Sequence, residues 1–495
     1  MRTTRLIPAL AAAGFVLTTG TLAPAVAAPS PGLSPALSPV AAGWRPDVPL
    51  EDLVTTEGVW RHLEAFQSAA DAHDGNRAMG TPGYEASAEY IEATLTAAGY
   101  TPQRQYFDVE KFVVLDLAVE VPNVALAPVP MTYSPSTPDD GVVAGLIQPA
   151  IVDGCPADAE TGHADSWAGV DATGKIALVR RGACSFALKS RAAAAAGAEA
   201  VIVYNNTAGS LNGTLGGPGT DFAPAVGVTQ AEGQSILAAL AADPTLTVSF
   251  DLQTVLEHHR TFNVIAETRT GHMDNVVMLG AHLDSVEEGP GINDNGTGSA
   301  GILEVAVQLA KVHPVENRVR FAWWGAEELN LLGSTHYVNN LSDAKKDQIA
   351  LYMNFDMIGS PNYTIGVYDA DQSTFTAPVT VPPGSAAVED VFTDYFDSVD
   401  QPWVDSPFSG RSDYQAFINN GIPASGLFTG ADGIKTDAEV ALFGGTAGIP
   451  LDPAYHSPGD TIDNVDATAL TIMSKAIAHA TEELAFDTSA VNDGS

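Results

Sequence analysis

The sequence predicts an α/β protein, a mixed and mostly parallel β-sheet flanked by helices, with a β-rich domain inserted into it. Three observations carry this. After Arg260, short apolar runs alternate with stretches of helical periodicity, the pattern of strands joined by crossover helices. Between about residues 115 and 258 the texture changes to short β-like runs joined by Gly-, Pro- and Asn-rich loops. At 495 residues the chain exceeds one ordinary domain, and 45% apolar with 17% charged residues is a globular balance.

Taken in order, residues 1–28 read as a signal peptide. Arg2 and Arg5 precede an apolar stretch over 6–22, and Ala25-Val26-Ala27 offers a small-x-small cleavage site. The Pro/Ser/Ala-rich run 29–46 reads as a linker or short pro-segment. The main domain then begins over 47–114, with helices predicted over 54–72 and 83–98, the latter stopping at Gly99, and a strand over 104–109. The insert, 115–258, holds β-like runs at 141–147, 175–180 and 200–204 and an Ala-rich helix at 189–196. The main domain resumes over 259–487, with strands at 262–267, 276–281, 318–324 and 349–357 and helices at 298–311 and 330–340. Residues 488–495 form a tail. No later segment offers 18 consecutive apolar residues, so export to the extracellular space is expected and a membrane partner is not.

The formal charge of −38, from 22 basic and 60 acidic side chains, argues against nucleic acid or anionic membrane as partners and favours cations, metal ions included. An exported chain with only Cys155 and Cys184 is expected to join them in a disulfide. A loop of about thirty residues closed this way stabilises by about 3–4 kcal/mol on chain entropy.

The chemistry lies at the ends of the predicted strands. The strand over 276–281 runs into Ala281-His282-Leu283-Asp284, and a short loop brings Asp294-Asn295 to the next helix. The strand over 318–324 ends before Glu327-Glu328, and that over 349–357 ends on Asp356. Far downstream comes Tyr455-His456-Ser-Pro-Gly-Asp460. In parallel sheets the carboxyl ends of strands converge on one crevice. Singly, each motif is commonly a helix cap or a solvated loop; together they place more carboxylates in one crevice than can stay charged without a cation. Imidazole with carboxylate suits Zn²⁺.

The segments 280–306 and 320–340 closely resemble the secreted streptomycete-type zinc leucine aminopeptidases, whose wider family includes the vibrio aminopeptidase and glutamate carboxypeptidase. The resemblance covers about 47–106 and 262–486 and includes Asn76-Arg77-Ala-Met-Gly-Thr-Pro-Gly83. The insert, with Arg181-Gly-Ala-Cys184-Ser-Phe-Ala-Leu-Lys189, resembles a protease-associated domain. The resemblance implies the zinc-dependent exopeptidase fold, two zinc ions per chain, and peptide substrates with a free N-terminus. Asp294 would bridge both ions, with His282 and Asp356 completing one and Glu328 and His456 the other. It also implies a cis Asp294–Asn295 peptide, a general base at Glu327, and a Tyr455 hydroxyl that holds the developing oxyanion. Asp284, two residues past His282, is expected to orient that imidazole. Gly410 and Arg411 match a loop that reads the substrate end, and Phe428 and Met357 would line an apolar pocket. Ala454 and Gly459 stand where the streptomycete relatives have cysteines. Their calcium site is matched by Asp47, but Thr471 and Lys475 replace its two later aspartates, which argues against calcium activation.

The reading is therefore a secreted, monomeric zinc aminopeptidase that removes apolar, leucine-like residues. Its rivals are a carboxypeptidase or aminoacylase-like amidase on the same fold, a single-zinc glutaminyl cyclase, and a non-catalytic binding module.

Overall fold

The structure, a computed structural model, describes residues 48–312 and 314–493. The expected signal peptide and linker, Asp47 and the last two residues of the tail lie outside the described residues. Strands are formed by Gln103–Glu120 (β1), Val129–Pro130 (β2), Val142–Ile147 (β3), Lys175–Arg180 (β4), Ala200–Tyr204 (β5), Ala225–Val228 (β6) and Thr247–Glu267 (β7). They continue with His272–His282 (β8), Asn317–Trp324 (β9), Ile349–Phe355 (β10), Gly366–Tyr368 (β11), Val404–Ser406 (β12) and Ala424–Phe428 (β13). One sheet contains them all, in the order β12-β11-β13-β10-β8-β9-β7-β3-β4-β5-β6-β2, with β1 paired to β7. The sheet is mixed: β8, β9, β10 and β13 run parallel, as do β3, β4, β5 and β6, while β7 is antiparallel to its neighbours.

Alternation along the central strands explains the layering. Val277, Leu279 and Ala281 point into one core with Phe321, Trp323, Leu351 and Met353. Met278, Ala322, Trp324 and Tyr352 point into the opposite one. A strand buried on both faces reads as a continuous apolar run, which is why β8 to β10 are visible in the sequence. Helices Thr56–Asp71, Pro82–Ala98, Gly298–Leu309 and Ala467–Phe486 cover the first face, and Leu332–Asn339 and Tyr414–Ile418 the second. Local signals set the ends of these helices. Thr55 and Thr81 accept backbone hydrogen bonds as N-caps, Pro82 opens its helix, and Gly99 closes it at φ 99°.

The insert repeats the two-sided design with its own cores, Ile176 and Leu178 facing one way and Ala177 and Val179 the other. It is joined to the rest by β1 and β7, paired from Gln103↔Ile265 to Glu120↔Ser249 with one register shift between Val114 and Asp116. The strands expected at 104–109 and 262–267 are thus parts of a much longer arm. Its middle is partly open to solvent, with Leu115 66% exposed, so backbone pairing rather than an apolar face holds it together. Smaller differences have local causes. The helix expected at 330–340 starts at Leu332 because Asn330 and Leu331 take φ of 77° and 58°. The helix expected at 189–196 begins at Phe186, where Ser185 caps it. Cys155 and Cys184 form the expected disulfide.

Candidate metal centre

Because β8, β9, β10 and β13 are parallel, their carboxyl ends meet at one edge. His282 is the last residue of β8, Glu327 and Glu328 lie just past β9, and Asp356 follows β10. Asp294 arrives on the irregular turn Ile292–Thr297, and its peptide bond to Asn295 is cis. Gly291 opens that turn at φ 61°, and a Cβ there would come within 2.4 Å of the Asp294 carbonyl oxygen, so only glycine fits.

The five expected ligands come together. Asp294 faces both imidazoles, with Oδ1 3.1 Å from His282 Nε2 and Oδ2 3.1 Å from His456 Nε2. His282 Nε2 is also 3.3 Å from Asp356 Oδ1, and His456 Nε2 is 3.0 Å from Glu328 Oε2. One carboxylate between two half-sites is the arrangement a bridging ligand requires. Asp356 Oδ1 and Glu328 Oε1 are buried with no hydrogen-bond partner, a condition that a bound cation would relieve. Within ligand reach of one another lie His282, Glu327 and Asp356, and again His282, Asp294 and Glu328. The donor set of imidazole nitrogen and carboxylate oxygen fits zinc. Away from it, Asp369, Glu389 and Asp405 form a further acidic group, which no sequence motif marks.

The electrostatics agree. Burial pushes Glu328 up to about 7, helped by the Asp294 charge. Glu327 is raised well above the usual carboxylate range, by burial first and then by Asp356, Asp413 and Glu328, against the lowering pull of His282. Burial works against charge on His456, but hydrogen bonds to Asp294 and Glu328 outweigh it and lift the imidazole to about 10. The carboxylates thus compete for protons on the histidines, a deficit of positive charge that divalent ions would fill.

The loops are held from behind. Arg77 is fully buried and donates to the carbonyls of Leu283 (2.5 Å), Pro290 (2.8 Å) and Gly291 (2.5 Å), fastening the loop between His282 and Asp294. Asp460 accepts from the amides of Asn293 and Asp294 at 2.8 and 3.0 Å. Ser412 donates to Asp356 Oδ2 at 2.6 Å, and Asp413 beside it is buried with neither oxygen bonded. The sequence motifs contain Arg77, Ser412, Asp413 and Asp460, but nothing in their spacing shows these contacts.

Asp284 differs from expectation. His282 Nδ1 lies 2.9 Å from the Asp284 carbonyl oxygen, whereas the carboxylate is 3.9 Å away. That carboxylate accepts instead from the amides of Glu327 (3.2 Å) and Glu328 (3.4 Å), so it shapes the turn that presents them. A cavity of about 320 Å³ opens beside the centre, and Met357, Arg411, Phe428 and Tyr455 are among its lining residues. Arg411 bonds Asp432 at 2.9 Å and Tyr455 Oη at 3.3 Å. Gly410 is not among the residues lining the cavity; its amide donates to Tyr414 Oη at 2.9 Å.

A carboxylate-rich centre with two imidazoles, half-buried and open to a cavity at the carboxyl ends of parallel strands, is that of a metallohydrolase. Residues 263–481 match peptidase family M28 and residues 142–236 match the PA domain. Leucine aminopeptidase 2 of Trichophyton rubrum is 42% identical over 449 residues, which are 90% of this chain and 88% of that protein. An aminopeptidase of Pseudomonas aeruginosa is 44% identical over 446 residues, 88% of this chain and 82% of its own. Among solved structures, the aminopeptidase from Aneurinibacillus sp. strain AM-1 aligns with a TM-score of 0.70 and 29% identity, covering 87% of this chain and 94% of its own. The chain belongs to peptidase family M28, with an inserted PA domain, and is a metallo-aminopeptidase of that family. No helix among the described residues is long and apolar enough to cross a membrane.

Proposed function

We propose that this chain is a secreted, monomeric two-zinc aminopeptidase that releases apolar, leucine-like residues from the free N-terminus of peptides. The observation that carries the two-metal reading is Asp294, whose two carboxylate oxygens each stand 3.1 Å from a different imidazole. Support for secretion comes from the pattern over 1–28 and from a disulfide, which persists in oxidising compartments. The leucine preference rests on the named activity of relatives such as that of Trichophyton rubrum and on the apolar wall formed by Met357 and Phe428. The domain division would be a peptidase domain over 47–114 and 259–487, interrupted by the protease-associated domain over 115–258.

In this reading His282, Asp294 and Asp356 would hold one ion, and Asp294, Glu328 and His456 the other. When bound, the pair would acidify a water molecule and polarise the scissile carbonyl. The Glu327 carboxylate, 4.0 Å from His282, would take a proton from the attacking water and pass it to the departing amine. Tyr455 Oη, with Arg411 Nη2 3.3 Å away, would donate to the oxygen that gains charge at the carbonyl carbon. The substrate ammonium would be met by Glu327 and Asp356, and its apolar side chain would enter the cavity.

Leucine p-nitroanilide and its N-acetylated form distinguish the readings. Cleavage of the free-amine substrate alone is expected. Cleavage of the blocked one alone would make the chain an amidase of the same fold.

A further inference from the structure

A second cavity, of about 210 Å³, lies beside the centre and shares Glu328 with the first. Four separate segments build it. Ala78 and Met79 come from the loop before helix Pro82–Ala98, and Val286, Glu287 and Glu288 from the loop after β8. Leu329 follows Glu328, and Lys111 is contributed by β1, the arm that carries the insert. The floor is apolar: Met79 is buried in one cluster with Phe107 and Val109, against which Leu329 packs. The mouth is acidic, with Glu287 and Glu288 exposed, and its one cationic lining residue, Lys111, is already paired with Glu287.

A peptide whose first residue fills the larger cavity must continue past the metal ligands. Glu328, a candidate metal ligand, lines both cavities, so the second adjoins the centre and offers space to the departing portion. We propose that it is the subsite for the residue following the scissile bond, admitting an apolar or basic side chain and rejecting an acidic one. This rests on the aminopeptidase reading. Apolar side chains gain from covering Met79 and Leu329. An acidic one meets the exposed carboxylate of Glu288, while Lys111 and Glu287 already neutralise each other.

The test measures kcat/KM on leucinamide, which has no following residue, and on Leu-Phe-amide, Leu-Lys-amide and Leu-Asp-amide. The metal-loaded full chain is expected to favour Leu-Phe-amide over Leu-Asp-amide by at least tenfold. Val286→Trp, which fills the cavity, should erase the advantage of Leu-Phe-amide while leaving leucinamide within about twofold. Glu288→Lys should raise kcat/KM for Leu-Asp-amide and lower it for Leu-Lys-amide, opposite changes that a loss of structure does not produce. Rapid leucinamide hydrolysis with equal rates on all three dipeptide amides would overturn the subsite and leave the aminopeptidase reading standing. An equal fall on every substrate in both variants would also overturn it. No hydrolysis of leucinamide, with cleavage of N-acetylated substrates, would remove the aminopeptidase reading and this subsite with it.

Discussion

The peptidase half and the insert are built alike and use buried charge in opposite ways. Both place parallel strands between two apolar layers, and both cap helices with Ser or Thr. In the insert, the strand ends β4 to β6 are Arg180, Tyr204 and Val228, and its notable interior charge is Lys189. The Lys189 ammonium is satisfied by the carbonyls of Asp153 and Gly182 beside the disulfide. In the peptidase half, the strand ends gather Asp294, Glu327, Glu328 and Asp356 around two histidines, with two of their oxygens left unbonded. The same architecture therefore makes a closed, self-satisfied unit in one place and a centre that needs cations in the other. Function follows from what is set at the strand ends, not from the layers.

The sharpest way to break this contrast is Glu327→Gln. If the peptidase half holds a proton-transfer base there, kcat should fall by about 10²- to 10⁴-fold while metal content, read by elemental analysis, stays unchanged. Unchanged turnover would remove Glu327 from the mechanism. Next in size is the insert's own staple. Replacing Cys155 and Cys184 together by serine should lower the stability of the chain by about 3–4 kcal/mol in denaturant titration. Its kcat at 25 °C should stay within about twofold, and a matching collapse of activity would mean that the two halves are not independent in this way.

Lys189 gives the contrast a pH signature. Burial depresses its ammonium from the ordinary 10.5 to about 8. Between these values the unfolded chain holds a proton that the folded chain has shed, so this group makes stability rise with pH across that window. Lys189→Met should flatten the rise in Tm between pH 8 and 10; an unaltered slope would show that another group produces it. Smallest is Arg411. Its pair with Asp432 is more than half exposed on both sides, and such pairs are worth about 0.2–1 kcal/mol. Asp432→Asn should raise KM by no more than about fivefold with kcat kept, unlike any change at the candidate metal ligands.

The legible part of the molecule was that in which local pattern and distant packing coincide. His282, Glu328 and Asp356 follow apolar runs whose ends can be counted, so their convergence follows from a parallel sheet. The disulfide was legible from an even cysteine count. Arg77 was not, because its partners Leu283, Pro290 and Gly291 lie more than 200 residues away and are carbonyls, which no side-chain pattern reveals. The role of Asp284 is hard to read for a related reason. Its spacing from His282 fits either a carboxylate or a carbonyl contact, and the amides of Glu327 and Glu328 claim the carboxylate. The long β1–β7 arm was hidden because half-exposed strands show no continuous apolar face.

The central claim is that Asp294 joins two metal half-sites. Metal content per chain, measured after equilibration with zinc and removal of the excess, tests it directly. The account expects about two ions in the wild type, about one in His456→Ala and close to none in Asp294→Ala. Asp294→Ala protein that folds and still carries the wild-type complement of zinc would contradict it.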